Sequence, residues 1–242
     1  MSLLELHGIS RSFGGVKAVQ RVSFNVEQGD ALGLIGPNGS GKSTTVNLVC
    51  GVYPVDEGKI IFDGKKLTKK NDPKDRARMG LCRTFQTPRP FSKLSVYENV
   101  FAVALLNNDF SDARKETERV LKTTELFRYQ DMQSSKLPIE KRKWLDLARI
   151  LVTKPKLIML DEVMAGLNGA EMDDSIALVK RINQEEGITI VVIEHIMKAI
   201  LNICNRVVDL NEGQAFAEGG PKEVLSRPDV ISAYIGGELE DA

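Results

Sequence analysis

The chain has no surplus of charge of either sign: 33 Lys and Arg residues balance 33 Asp and Glu residues, for a formal net charge of zero. A dedicated nucleic-acid binder carries a strongly basic face, so this balance leaves no such footprint and no nucleic-acid partner is expected. Cysteine is scarce. Cys50, Cys82 and Cys204 lie far apart with no CxxC pair, the pattern of reduced, unpaired thiols rather than of a disulfide framework. Long apolar runs are missing as well. None approaches the about 20 residues that a bilayer-spanning helix needs, so any membrane role is expected to be borrowed from a partner. The opening "MSLLELHGIS" has no basic stretch ahead of a long apolar core, and no secretion signal is expected there. Repeats, low-complexity blocks and long linkers are absent too, and 242 residues suit one substantial core with a smaller lobe attached.

What is present is a change of period along the chain. "LLELHGI", "VSFNV" and "ALGLIG" read as early strands, and "GKIIFDG" adds a short strand between glycines in a hairpin-like setting. Two apolar strands, "KLIML" and "ITIVVI", come later, each preceded by helical sequence, which suggests a parallel sheet covered on both faces. Ahead of them, from about Asp109 to Leu151, the pattern turns helical, in "SDARKETERVLKTTELF" and "KRKWLDLARILV", and the later "EMDDSIALVKRI" puts Met172, Ile176, Val179 and Ile182 on one stripe. The expected fold is α/β, with a mostly parallel core sheet, N-terminal antiparallel strands and an inserted helical sublobe. We expect a single domain over 1–242, its core lobe made of residues 1–86 and 155–242 and its sublobe of 87–154.

Chemistry enters at "GPNGSGKST", which fits G-x-x-x-x-G-K-[ST] at every required position, follows the apolar "ALGLI" and opens a helical run. Gly36, Pro37, Asn38, Gly39, Ser40, Gly41, Lys42, Ser43 and Thr44 form a loop whose curled backbone points successive N–H groups at phosphate oxygens. The helix start adds its positive dipole end. Lys42 supplies a full charge for the β- and γ-phosphates of ATP, and Ser43 a hydroxyl ligand for Mg2+. Downstream, "KLIMLDE" ends an apolar strand on adjacent carboxylates. Asp161 is placed to hold the Mg2+ shell and Glu162 to orient and polarise an attacking water. His195, just past "ITIVVI", stands where a γ-phosphate is sensed.

With these residues in order, the chain resembles the nucleotide-binding subunits of ABC transporters over nearly its whole length. The resemblance implies that Phe13, in "SRSFGGVKAV", stacks on adenine. It implies that Gln86, in "CRTFQTPRPF", touches both Mg2+ and the water, that "AGLN" is the D-loop, and that His195 is the switch histidine. Glu162, His195 and Gln86 are thereby the expected catalytic set, with Ser43, Gln86 and Asp161 toward the metal. Within the family, "RTFQ", "LSVYENV", "AGLN", "IEHIM" and "RPDVISAYIGGE" are similar to the ATP-binding subunits of branched-chain amino-acid importers. That implies an ATP hydrolase powering uptake of such amino acids or a related small polar solute. The implied partners are permease subunits, a second ABC ATPase subunit and, indirectly, a solute-binding protein. The implied place is cytoplasmic, on the inner face of the membrane. A groove formed around Pro88, Pro90, Phe91, Leu94 and Tyr97 is expected to receive a helix of the permease.

One element departs from the family pattern. Where relatives read close to LSGGQ, this chain has Leu137, Pro138, Ile139, Glu140 and Lys141. Pro138 lacks a hydroxyl and an N–H, Ile139 adds branched bulk, and Glu140 is expected to bring a negative charge toward the nucleotide of a partner subunit. Pro at a helix start with Glu close behind also makes a good helix beginning. The alternatives are a regulatory subunit impaired in hydrolysis, or a soluble ABC ATPase outside transport.

Overall fold

A computed structural model describes residues 2–240, with side chains through Tyr234; Met1, Asp241 and Ala242, the ends of the expected 1–242 domain, lie outside the described residues. In chain order, β1 (Ser2–Phe13) and β2 (Val16–Glu27) make a hairpin, and β3 (Ala31–Ile35) runs through the glycine-rich loop into α1 (Lys42–Val49). Next come β4 (Glu57–Phe62), β5 (Lys65–Leu67), α2 (Pro73–Arg78) and β6 (Leu81–Arg83). Helices α3 (Val96–Ala104), α4 (Phe110–Thr123) and α5 (Ile139–Leu151) fill the stretch before β7 (Leu157–Asp161). The chain closes with α6 (Gly169–Gln184), β8 (Thr189–Ile193), α7 (Met197–Ile203), β9 (Arg206–Asn211), β10 (Gln214–Gly219), α8 (Pro221–Leu225) and α9 (Pro228–Glu240).

The strands build two sheets. A four-stranded antiparallel sheet has the order β2-β1-β4-β5, and a six-stranded sheet the order β10-β9-β3-β8-β7-β6, parallel except for β10. The expected fold class is the one found. Both faces of the larger sheet are covered, so its strands are apolar throughout rather than alternating. In β8, Ile190 and Val192 face the cluster that takes in α5, α6 and α7, while Val191 and Ile193 face the cluster shared with α1 and the antiparallel sheet. The stripe on α6 is also as expected, with Ile176, Val179 and Ile182 buried and Met172 packed beside them.

Local chemistry sets the helix starts. Ser95 and Glu98 form a capping box at α3, Asp109 caps α4, and Asn168 with Glu171 boxes α6; each such cap satisfies N–H groups that the helix itself leaves unpaired. At α5 the residue before the helix is Pro138, and no side chain caps it. The helical stretch is strapped to the rest of the fold far from the glycine loop: Arg119 forks onto both carboxylate oxygens of Glu186 at 2.7 and 2.6 Å, and Arg181 donates to the Thr123 carbonyl and to Glu125. Among the described residues, no helix is long and apolar enough to cross a membrane.

Candidate active site

The glycine loop is bent by contacts that only glycine tolerates at two points. Gly36 has φ 140° and a Cβ there would lie 2.1 Å from the Leu210 carbonyl; Gly41 has φ 99° and would clash with the Ala18 carbonyl at 2.5 Å. The second contact pins the loop to the β1–β2 hairpin, and the Gly213 N–H reinforces it by donating to the Ser40 carbonyl. Gly39, with φ 78°, turns its bare Cα toward open space, which leaves room for a ligand against the backbone. Helix α1 begins at Lys42 with neither a side-chain cap nor an acidic residue in its first turn, so its first N–H groups and its dipole are free for an anion.

Lys42 folds back into this loop. Its ammonium donates to the Gly36 carbonyl at 2.7 Å, the Pro37 carbonyl at 2.8 Å and the Ser40 hydroxyl at 3.3 Å, all uncharged acceptors. Burial pulls its pKa below the usual lysine value, and the charges of Glu162 and Asp209 partly restore it. Ser43 is exposed on the first turn of α1.

Strand β7 ends at Asp161, and Glu162 follows with φ 50°, a left-handed conformation uncommon outside glycine. Its N–H is held by the Ile193 carbonyl of β8, which ties the strained corner to the neighbouring strand. The Gln86 amide donates to Glu162 Oε2 at 2.5 Å, so two of the sequence-selected residues meet directly. Asp161 is engaged by a residue that motif reading passes over. Arg83, at the end of β6, donates from Nη2 to Asp161 Oδ2 at 2.9 Å and from Nη1 to Asn47 Oδ1 of α1 at 2.6 Å. Burial raises the Asp161 pKa and the Arg83 charge opposes that rise. The only sequence signal for Arg83 is its place in "RTFQ", where it reads as a subfamily mark rather than as a partner of Asp161.

His195 emerges exposed after β8, and its ring makes no hydrogen bond to a described residue. Its neighbour Glu194 is buried. One carboxylate oxygen accepts from the Met164 N–H at 2.7 Å, and burial raises its pKa. Together with Lys143, whose ammonium donates to the Ala165 carbonyl at 2.5 Å, it braces the "AGLN" loop against β8 and α5.

The departure at 137–141 takes a different form from the one expected. Pro138 and Ile139 are exposed, but Glu140 is not aimed outward. Its side chain is only 7% exposed and pairs with Lys141 at 3.1 Å, while Lys141 sits 3.2 Å from the centre of the Trp144 ring. The indole of Trp144 is buried and donates to Ser175 Oγ on α6 at 3.0 Å. The carboxylate thus spends its charge inside the α5 start, because a neighbouring ammonium is a nearer partner than solvent.

Phe13 ends β1, and there it meets a second aromatic. Its ring stands edge-on to Tyr53 with centroids 5.1 Å apart, and the Arg11 guanidinium lies 4.8 Å from the Phe13 centroid. Tyr53 follows α1 in a segment without a motif, so sequence reading gives it no role. Two cavities of 370 and 460 Å³ open beside β6 and the helical stretch, both lined by Arg83, Phe85, Arg149 and Ile150, the larger reaching α2 and Val52. Phe85 and Leu106 are exposed there at 56% and 75%. Of the five residues expected to form the docking groove, none lines these cavities. Tyr97 lines a separate cleft, and Phe91 lies under the Arg149 guanidinium at 4.9 Å.

The residues fit a magnesium nucleotide. A loop of free amides and a lysine with no anionic partner within hydrogen-bond reach suits a polyphosphate. No cluster of His, Cys, Asp and Glu among the described residues could hold a metal by itself. A divalent ion would rest on a hydroxyl, one carboxylate and phosphate oxygens, the donor set Mg2+ takes.

A family profile described as "ABC transporter" matches residues 19–165. The chain belongs to the ABC transporter family, as an ATP-binding subunit. BraF of Pseudomonas aeruginosa, a high-affinity branched-chain amino acid transport ATP-binding protein, is 34% identical to this subunit over 97% of its chain and 98% of BraF. LivG of Salmonella typhimurium, with the same description, is 35% identical over 97% and 98%. Among solved structures, the ADP conformation of the ABC transporter cassette MJ1267 superposes with a TM-score of 0.87 at 33% identity, covering 98% of this subunit and 99% of that chain. CbiO1 from Clostridium perfringens, part of the transporter complex cbiONQ, has a TM-score of 0.87 at 27% identity over 100% and 99%.

Proposed function

We propose that this ABC subunit binds and hydrolyses ATP to drive uptake of branched-chain amino acids, or of a closely related small polar solute, through partner permeases. The observation that carries the reading is the 2.5 Å hydrogen bond from Gln86 to Glu162. The amide of the segment after β6 thereby holds the carboxylate that follows β7, which would link Phe85, the preceding residue and a wall of the cavities, to the group that handles water. Lys42 leaves its carbonyl partners to neutralise the β- and γ-phosphates, and the free amides of the loop and α1 orient them. Ser43, Asp161 and Gln86 would hold Mg2+, which would supply charge to stabilise the phosphate oxygens. Glu162 accepts a hydrogen bond from the attacking water and orients it for in-line attack on the γ-phosphate, and the exposed His195 imidazole would reach that phosphate once the site closes. Phe13, supported by Tyr53, offers a stacking face to adenine.

The solute class rests on the full-length likeness to BraF and LivG, both described as branched-chain amino acid transport proteins. The cavities beside Phe85 and Leu106 suit a short helix from a permease, which would hold the subunit at the inner face of the membrane. Coexpression with branched-chain amino acid permeases and a second ABC ATPase subunit, reconstitution in vesicles and leucine uptake under MgATP test the reading. Uptake that Glu162→Gln abolishes supports it, whereas MgATP binding without any leucine, isoleucine or valine transport moves the solute elsewhere.

A second reading is favoured by the α5 start, where Pro138 has no N–H to offer a phosphate and Glu140 stands in the first turn. In a heterodimer this signature would close over the partner's ATP, leaving one firing site, built on this chain's Walker loop, and one mostly structural site. Single-turnover hydrolysis with and without the second ATPase separates the readings: turnover restored by the partner supports the two-site asymmetry, and equal turnover alone rejects it.

A further inference from the structure

Behind the glycine loop lies a carboxylate that the proposed chemistry leaves unused. Asp209 on β9 pairs in register with Ile35, the residue immediately before Gly36, and is fully buried. Strand alternation puts it on the same face as Val207, toward the cluster that includes Ile35, Val224 and Val230. Neither of its carboxylate oxygens has a hydrogen-bond partner, and the Tyr234 hydroxyl of α9 feels both the Asp209 charge and the Gly36 backbone. Buried polar groups are rarely left unpaired, because an unmade hydrogen bond is costly and an unpaired charge far more so. An orphaned acid here calls for an explanation.

The charged groups around it supply one. Those facing Asp209 are Lys42 of α1, Arg227 from the turn between α8 and α9, and Asp229 at the start of α9. Arg227 is already occupied, forked onto Asp229 at 3.0 and 2.6 Å. Lys42 is not occupied by any anion, since its three acceptors are carbonyls and a hydroxyl. In the empty loop, Asp209 and Lys42 therefore balance one another through the P-loop backbone. When a polyphosphate takes the lysine, that balance ends and the buried carboxylate faces added negative charge.

We propose that Asp209 is a positioning residue beneath the P-loop that counterbalances Lys42 in the empty site and takes up one proton from solvent when a nucleotide's phosphates replace it. The inference rests on the ATP-site reading above. Burial already pushes the Asp209 carboxyl up to about 6, so near neutral pH the empty protein holds it mostly ionised. Nucleotide binding raises its proton affinity further. The sign follows: affinity for MgATP is highest below about pH 6 and falls as pH rises, by up to about tenfold per pH unit at the steepest.

The experiment is calorimetric titration of the purified full chain with MgATP across about pH 5.5–8.5, repeated at about pH 7 in buffers of different ionisation enthalpy. The parent is expected to take up a fraction of a proton approaching one per nucleotide and to weaken by roughly tenfold or more toward the alkaline end. Asp209→Asn keeps the shape, removes the charge and cancels the nucleotide's own protonation from the comparison. It is expected to bind more tightly than the parent at alkaline pH, with a flatter profile and less proton uptake. Asp209→Val serves the same comparison should the Asn variant fail to fold. Parallel pH profiles for parent and variant, or equal proton uptake, overturn the proposal while leaving the ATP site standing. Absence of MgATP binding at every pH overturns both.

Discussion

Replacing Glu140 with glycine separates a structural role for this carboxylate from a repulsive one. If Glu140 faced a partner's triphosphate, glycine would relieve repulsion and leave the monomer's stability nearly unchanged. The structure instead pairs it with Lys141 at 3.1 Å, with side-chain exposures of 7% and 9%, and leaves its other oxygen without a partner. Removing one member of a buried ion pair typically costs about 3–5 kcal/mol. Glycine in place of a helix former adds up to about 1 kcal/mol, and loss of an acid from the first turn about 0.3–1 kcal/mol. The Trp144 ring, 3.2 Å from the Lys141 ammonium, keeps part of that charge satisfied. The expected net loss is therefore about 3 kcal/mol, a large share of the about 5–15 kcal/mol that holds a typical domain. Urea unfolding followed by far-ultraviolet circular dichroism reads it, with Glu140→Gln as the milder companion at about 1–2 kcal/mol. A Glu140→Gly variant within about 0.5 kcal/mol of the parent refutes the inward pairing. It would restore the expectation that Glu140 brings a negative charge toward the nucleotide of a partner subunit.

Further outcomes follow from the same contacts. Arg83→Gln strips the cation from half-buried Asp161, so burial raises that carboxyl further; magnesium-dependent ATP affinity should then fail at a higher pH than in the parent, and an unshifted profile contradicts the pairing. Leu106→Asp places a charge in the groove without touching the glycine loop. ATP affinity should hold while stimulation of hydrolysis by the permeases drops several-fold, and loss of both indicates misfolding rather than docking. Asp209 also bears on stability: its folded carboxyl titrates near 6 against an ordinary value of 3.8, so folding binds a proton between those values. Stability contributed below about pH 4 is lost as pH rises to about 6 and then levels off, and Asp209→Asn should melt higher at pH 8 by the equivalent of about 1–2 kcal/mol after allowance for screening. A variant that melts lower at that pH refutes the sign.

The parts of this molecule that sequence exposes are those written contiguously. The glycine loop, the strand that feeds it and the acid pair after "KLIML" each sit within a few neighbouring residues, so spacing alone reveals them. Arg83 finds Asp161 only once β6 lies beside β7, and Tyr53 meets Phe13 only when the turn after α1 folds back on the hairpin. Strand β9 itself is hard to read, because Asp209 interrupts "RVV" and "L" in what would otherwise be an apolar run. The direction of Glu140 depends on competition between Lys141 and solvent, which no local pattern encodes. The cavities lined by Phe85, Arg149 and Ile150 are invisible in the sequence for a similar reason: they form where separate elements meet.

Trp144 is the single tryptophan of the chain, and it is wedged between the ammonium of Lys141 and the hydroxyl of Ser175. Its emission therefore arises from one place, the seam where α5 meets α6. Any movement of that helix against its neighbour, as ligand arrives or a partner closes, changes the field on one indole and registers as a colour shift without a label attached.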